Sequence, residues 1–114
     1  MFYPEDVFGI IKLYYYGGIA YMFTGICRLD LMLHGSGSLK DKRRILKSII
    51  EKLKNRYNVS VAEVGSNDKW QTASIGVSTV SNSRLQTDRV LDAVIRFVET
   101  DVRVEITYCH RETI

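Results

Sequence analysis

Residues 23–33, FTGICRLDLML, alternate along the chain: Phe23, Cys27, Leu29, Leu31 and Leu33 fall on one side, and Thr24, Ile26, Arg28, Asp30 and Met32 on the other. A period of two predicts a half-buried strand. HGSG (34–37) is a turn, and Ser38 with Asp41 three residues later is a capping-box pattern that opens a helix. Leu39, Leu46, Ile49, Ile50, Leu53 and Tyr57 then recur at steps of three and four, one apolar stripe running to Tyr57. VSVAEV (59–64) and WQTASIGVSTV (70–80) are rich in β-branched residues, and the intervening GSNDK suits a hairpin loop. Ser83 with Gln86 repeats the helix-start pattern. Val90, Leu91, Val94, Ile95 and Val98 form a second stripe ending near Thr100, and RVEITYC (103–109) alternates again.

This order, β-α-β-β-α-β, predicts an α+β, ferredoxin-like fold. Right-handed crossovers place both helices on one face of a four-stranded antiparallel sheet of spatial order 4-1-3-2. Cys27, Leu29, Leu31, Ala73, Ile75, Val77, Val104, Ile106 and Tyr108 are expected on the helix side. Cys109 then faces the open side, away from Cys27, and no disulfide joins the two. Arg28 and Asp30 are expected to pair across strands with Glu105 and Arg103.

Residues 1–21 lack this regularity. They carry Glu5 and Asp6 early, with no basic start and no small-residue cleavage site, so they do not read as a secretory signal. Gly17-Gly18 can be encoded as GGAGGT, a ribosome-binding sequence three codons ahead of Met22. The expectation is an N-terminal extension, residues 1–21, lying upstream of a natural start at Met22, and a single domain over residues 22–114. The alternative is an extra strand or short helix over Phe8–Tyr16 whose tyrosines cover an exposed sheet face.

With 114 residues the chain can bury one core without staples. The net charge is only +3, yet residues 38–57 hold eight Lys or Arg against Asp41 and Glu51, a local +6 that leaves −3 for the rest. Such asymmetry speaks to partners rather than to fold. Two cysteines without CxxC spacing argue against a zinc site and a disulfide framework, and for a reducing cytoplasm. No apolar run is long enough to span a bilayer, and nothing calls for a cofactor or a metal.

On a helical projection from Leu39, Lys40, Arg43, Arg44, Lys47 and Lys54 fall within one flank beside the apolar stripe. Lys40 to Lys54 spans about 21 Å at helical rise, enough for several nucleic acid phosphates. Lys40, Arg43, Arg44 and Lys47 are the expected phosphate contacts, with Lys42 and Lys54 in support. The turn Gly35, Ser36, Gly37, Ser38 puts flexible backbone and free helix-start N–H groups beside Lys40, Lys42 and Arg43, a candidate anion site that is not a Walker loop. The two central strands offer the open face no stacking rings, so base readout is not expected. Ile26, Met32 and Trp70 are candidates for a protein or dimer interface on that face. His34 and His110 have no nucleophile or carboxylate at a catalytic spacing, and no enzymatic constellation is recognised.

SLKDKRRILKSIIEKLKNRYNVSVAEV, followed by DKWQTASIGVSTVSN, resembles the YlxP-like family of small bacterial proteins of unknown function. The resemblance covers about residues 22–114. It implies a ferredoxin-like fold, a bacterial cytoplasmic protein and genes beside those of translation-initiation and ribosome-maturation factors. The expected role is a non-enzymatic adaptor of structured RNA or ribosomal particles that grips phosphate backbone through the first helix. The rival is an interaction or homodimerisation module using the open sheet face, with no nucleic acid bound. Intact mass spectrometry of the endogenous protein should give a product beginning at Met22; a product beginning at Met1 excludes the upstream reading.

Overall fold

Within residues 11–15, 18–66 and 68–114, which the computed structural model describes, seven elements follow one another. They are β1 (Ile11–Tyr15), β2 (Gly18–Leu33), α1 (Leu39–Arg56), β3 (Ser60–Gly65), β4 (Thr72–Ser81), α2 (Arg84–Glu99) and β5 (Val104–Thr113). β2 pairs with β4 from Phe23↔Ser81 to Met32↔Thr72 and with β5 from Gly25↔Thr113 to Leu33↔Val104, while β3 pairs with β4. All pairings are antiparallel, giving the order β5-β2-β4-β3. Counted from β2, this is the expected 4-1-3-2 ferredoxin-like sheet.

β1 pairs only with the first residues of β2, Ile11↔Met22 through Tyr15↔Gly18, ahead of the stretch that β4 and β5 reach. It prolongs a ribbon beyond the end of the four-stranded sheet instead of lying across the open face. Of the alternative over Phe8–Tyr16, Ile11–Tyr15 is therefore strand, and Phe8–Ile10 and Tyr16 lie outside the described residues.

Both helices begin where the capping pattern puts them. Ser38 Oγ accepts the Asp41 N–H at 3.1 Å and Ser83 Oγ accepts the Gln86 N–H at 3.2 Å. Each cap satisfies an N–H that the first turn leaves without a partner. The helices bury Ile45, Ile49, Leu53, Leu91, Val94 and Val98 against Leu29, Leu31, Ile75 and Val77 of the central strands. α2 approaches β2 so closely that position 25 has no room for a side chain. A Cβ on Gly25 would overlap Thr87 Cγ2 and meet Leu91 Cδ1 at 3.0 Å. Thr87 cannot easily yield, because it is fully buried and its hydroxyl donates to Ser83 O at 3.1 Å.

Three features differ from the reading of the sequence. The β2–β5 register slips between Asp30↔Tyr108 and Leu31↔Ile106, leaving Thr107 as a bulged extra residue whose hydroxyl donates to Asp30 O at 3.2 Å. A one-residue bulge exchanges the faces of everything beyond it. Tyr108, expected on the helix side, is therefore exposed on the open face, where the Arg28 guanidinium lies 5.8 Å from its ring centroid. Cys109, expected on the open side, sits opposite Leu29 on the helix side, next to Cys27. Burial, and then the neighbouring Cys109, push the Cys27 thiol up to about 12; both cysteines are free. The expected cross-strand charge pairs are also replaced. Arg28 holds Asp30 of its own strand, Arg103 holds Asp101, and Glu105 meets His34 at 3.3 Å.

The third difference is Lys42, expected to support phosphate contacts but only 1% exposed. Its Nζ stands 2.9 Å from Glu63 Oε2 of β3 and donates to the Ser66 carbonyl oxygen. The Glu63 contact is off the hydrogen-bonding direction, so this buried oxygen is held by charge alone. Ser66 takes a left-handed backbone (φ 60°), rare for a side-chain-bearing residue, where its carbonyl also accepts the Lys69 N–H at 3.1 Å. Lys42 cannot contact a phosphate. Its charge is neutralised where α1 rests on β3.

Gly25→Ala should destabilise the domain by about 1–3 kcal/mol through overpacking. Adding Thr87→Ser, which keeps the hydroxyl and removes the methyl, should recover most of the loss in urea denaturation. Lys42→Met should cost about 2–3 kcal/mol by stranding the Glu63 carboxylate, and Lys42→Met with Glu63→Leu should return near wild type. A double variant no more stable than Lys42→Met would show that the pair itself is not what Lys42 contributes.

Candidate nucleic-acid interface

With Lys42 turned inward, the remaining α1 cations sort by their angle about the helix axis. Lys42, Ile45, Leu46, Ile49 and Leu53 form the buried arc. Lys40, Arg43, Arg44, Lys47 and Lys54 are all exposed and occupy the flank that turns away from α2. On the opposite flank Ser48 accepts from Arg103 at 3.2 Å, and the Arg56 guanidinium lies 5.1 Å from the Phe97 ring centroid.

Arg44 has a loose partner, Asp41, at 3.9 Å. Lys40, Arg43, Lys47 and Lys54 form no ion pair among the described residues. Arg43, Lys47 and Lys54, with Leu46, Ile50 and Glu51, line a groove of about 370 Å³ whose far wall is Glu63 of β3. Glu51 is the one exposed acid on this flank, so the row remains strongly positive.

The helix-start turn is organised differently from a vacant anion site. Ser36 is buried and its hydroxyl donates to Ser38 O at 3.3 Å. Asp41 Oδ2 accepts the Gly37 N–H at 3.2 Å, and Ser38 Oγ occupies the Asp41 N–H. The turn thus meets its own carboxylate, which opposes an incoming anion by like charge. Gly35 (φ 74°) serves as a turn glycine.

The open sheet face is divided into zones. Its centre is polar: Arg28 donates to Asp30 at 3.0 and 3.2 Å, and Ser74 Oγ donates to the same carboxylate at 2.7 Å. Hydrogen bonds from Ser74 and then Arg28 hold the Asp30 carboxyl below its ordinary value. Met32 and Trp70 are exposed at the end of the face where β2 runs out. Ile26 lies six residues back along β2, roughly 20 Å away. The three candidate interface residues therefore do not form one patch.

Ile26 instead borders a mainly apolar pit of about 390 Å³ with Ala62, Val64, Gly76, Arg28 and His110. The pit exists because position 76 is glycine, where a Cβ would stand 3.0 Å from Val64 Cγ1. A lone glycine among β-branched residues of a strand was the available signal for it. His110 pairs with Glu112 at 3.2 Å. No helix among the described residues is long and apolar enough to cross a membrane.

Comparison with known proteins agrees with this architecture. A solved structure, the de novo designed protein Foldit4, superposes with a TM-score of 0.50 at 16% identity, covering 82% of this chain and 96% of that one, a likeness of fold alone. The uncharacterized protein YlxP of Bacillus subtilis (strain 168) is 38% identical over 88 residues, 77% of this chain and 96% of YlxP. Residues 24–111 match the model of the family described as "Protein of unknown function (DUF503)". By that match and the YlxP identity, the chain belongs to the YlxP-like DUF503 family.

Proposed function

We propose that this protein is a cytoplasmic, RNA- or ribosome-associated adaptor that holds phosphate backbone against the exposed flank of α1. The observation that carries the reading is the row of Lys40, Arg43, Lys47 and Lys54, four exposed cations without ionic partners among the described residues, spread over about 21 Å of helix. Helical neighbours at i+4 normally include acids that neutralise such a row. Here Lys40, Arg43 and Lys47 are followed at i+4 by Arg44, Lys47 and Glu51, so acids answer few of the charges.

Cations fixed on a packed helix lose less freedom on binding than cations on a loop, because the scaffold is already ordered. Each phosphate they neutralise releases condensed counterions, which makes the affinity depend steeply on salt. Arg44 adds a partly compensated contact at the outer margin. The flank presents charge without shaped acceptors or donors for base edges, so preference among RNA sequences should be slight.

Filter binding to a structured RNA at two salt concentrations tests the proposal. The logarithmic salt slope should correspond to about three to four phosphates, and Arg43→Glu or Lys47→Glu should weaken binding roughly tenfold and lower the slope by about 1 each. Equal retention of wild type and both charge reversals would overturn it.

A further inference from the structure

β3 is an edge strand: among the described residues it pairs with β4 alone, so its outer side presents backbone N–H and C=O groups without a sheet partner. Two chemically different surfaces flank that edge. On the helix side the groove under α1 is lined by Arg43, Lys47 and Lys54 against Glu51 and Glu63, and the Glu63 charge is already answered by Lys42, so the groove stays net positive. On the open side Ala62 and Val64 lead into the apolar pit above Gly76. Val64 is 58% exposed, a large apolar side chain at the lip.

Successive side chains of a strand point to opposite faces. A strand laid against the regular stretch Ser60–Glu63, ahead of the register shift at Val64, would turn alternate side chains into the cationic groove and the others onto the apolar lip. We infer that the β3 edge is a docking site for an extended peptide segment of another protein in which acidic and apolar residues alternate. Backbone hydrogen bonds to β3 supply the docking geometry, and the two flanking surfaces supply the selectivity, the usual division of labour in strand addition.

Charge separates this occupant from a second copy of the chain. Antiparallel pairing of two β3 edges would continue one sheet with all helices on the same side. The two α1 flanks would then face each other, cation against cation, which opposes self-pairing. An acidic strand experiences the opposite sign. The β5 edge offers no comparable site. Each edge strand carries one irregularity, at Val64 in β3 and at Thr107 in β5, but along β5 Arg111 is tied down by Asp92 at 2.5 Å and by the Asp88 carbonyl oxygen at 3.1 Å.

The inference does not rest on the RNA reading, although Arg43, Lys47 and Lys54 border both surfaces. The probe is a fluorescent peptide of about eight residues alternating Glu with Val, compared with a peptide of the same composition whose Glu and Val residues stand in two blocks. By anisotropy the alternating peptide should bind at least about tenfold more tightly than the block peptide, and Lys47→Glu and Val64→Glu should each weaken it about tenfold. Its binding should shift the backbone amide resonances of Ser60–Gly65. Val64→Glu should leave RNA retention unchanged, which separates this site from the phosphate row. Equal binding of the two peptides, indifference to Val64→Glu or unshifted β3 amides would each overturn the proposal. So would a concentration-dependent dimer that forms through β3 in preference to peptide.

Discussion

The rotational setting of α1 about its own axis decides what the rest of the molecule can do. An amphipathic helix with a wide apolar arc tolerates some rolling over a sheet, since dispersion contacts are weakly directional. The Lys42–Glu63 contact and the Lys42 bond to Ser66 O remove that freedom, because a buried charge tolerates little displacement from its partners. They tie the N-terminal half of α1 to β3 and to the loop after it. Once Lys42 faces Glu63, Arg43, Lys47 and Lys54 must turn over the β3 edge and Ser48 must turn toward Arg103. That arginine, gripped by Asp101 at 2.7 Å, holds the junction between α2 and β5. The position of the cationic groove thus follows from one buried ammonium group.

The order of elements, the sheet order and both helix starts were legible in the sequence, because they rest on short-range periodicity and on capping pairs that need no tertiary knowledge. Lys42 was misassigned for a specific reason. Its angle puts it between Ile49 and Leu53 in the middle of the apolar arc, one turn before Ile45 and Leu46, and that position outweighs its charge. Its partner, Glu63, lies on a different strand, and no local pattern joins two residues across the fold. Tyr108 and Cys109 were inverted by the bulge at Thr107. Alternation continues unbroken through RVEITYC, so a single extra residue opposite Asp30 leaves no trace in the hydrophobic pattern. The pit at Gly76 needed the pairing Ala62↔Gly76 before its one visible signal could be located on a face.

The same bulge shapes the open face. Had β5 kept its register, Tyr108 would add a ring to the core side and Cys109 a thiol to the open side. Instead Arg28 is sandwiched between the Asp30 carboxylate and the Tyr108 ring, and Ser74 completes the carboxylate's partners. This polar centre separates the Met32–Trp70 end of the face from the pit near Ile26. A continuous apolar face would promote sheet-on-sheet association, and a charged network across its middle works against it by the cost of desolvation.

The cations of α1 also answer a problem that the topology creates. A short sheet with an unpaired edge is exposed to pairing with any extended chain, and charge beside the edge is a common defence. Here that charge hangs over β3 from the neighbouring helix, while Glu63, the charged residue of the strand itself, is met by the buried Lys42 ammonium. Such a defence is selective. It repels a second basic copy and most neutral strands gain little from it, but an acidic strand is drawn toward it. The feature that protects the edge from its own kind therefore also defines which foreign chain it admits, and the apolar lip at Val64 requires that chain to bring hydrophobic side chains on its other face.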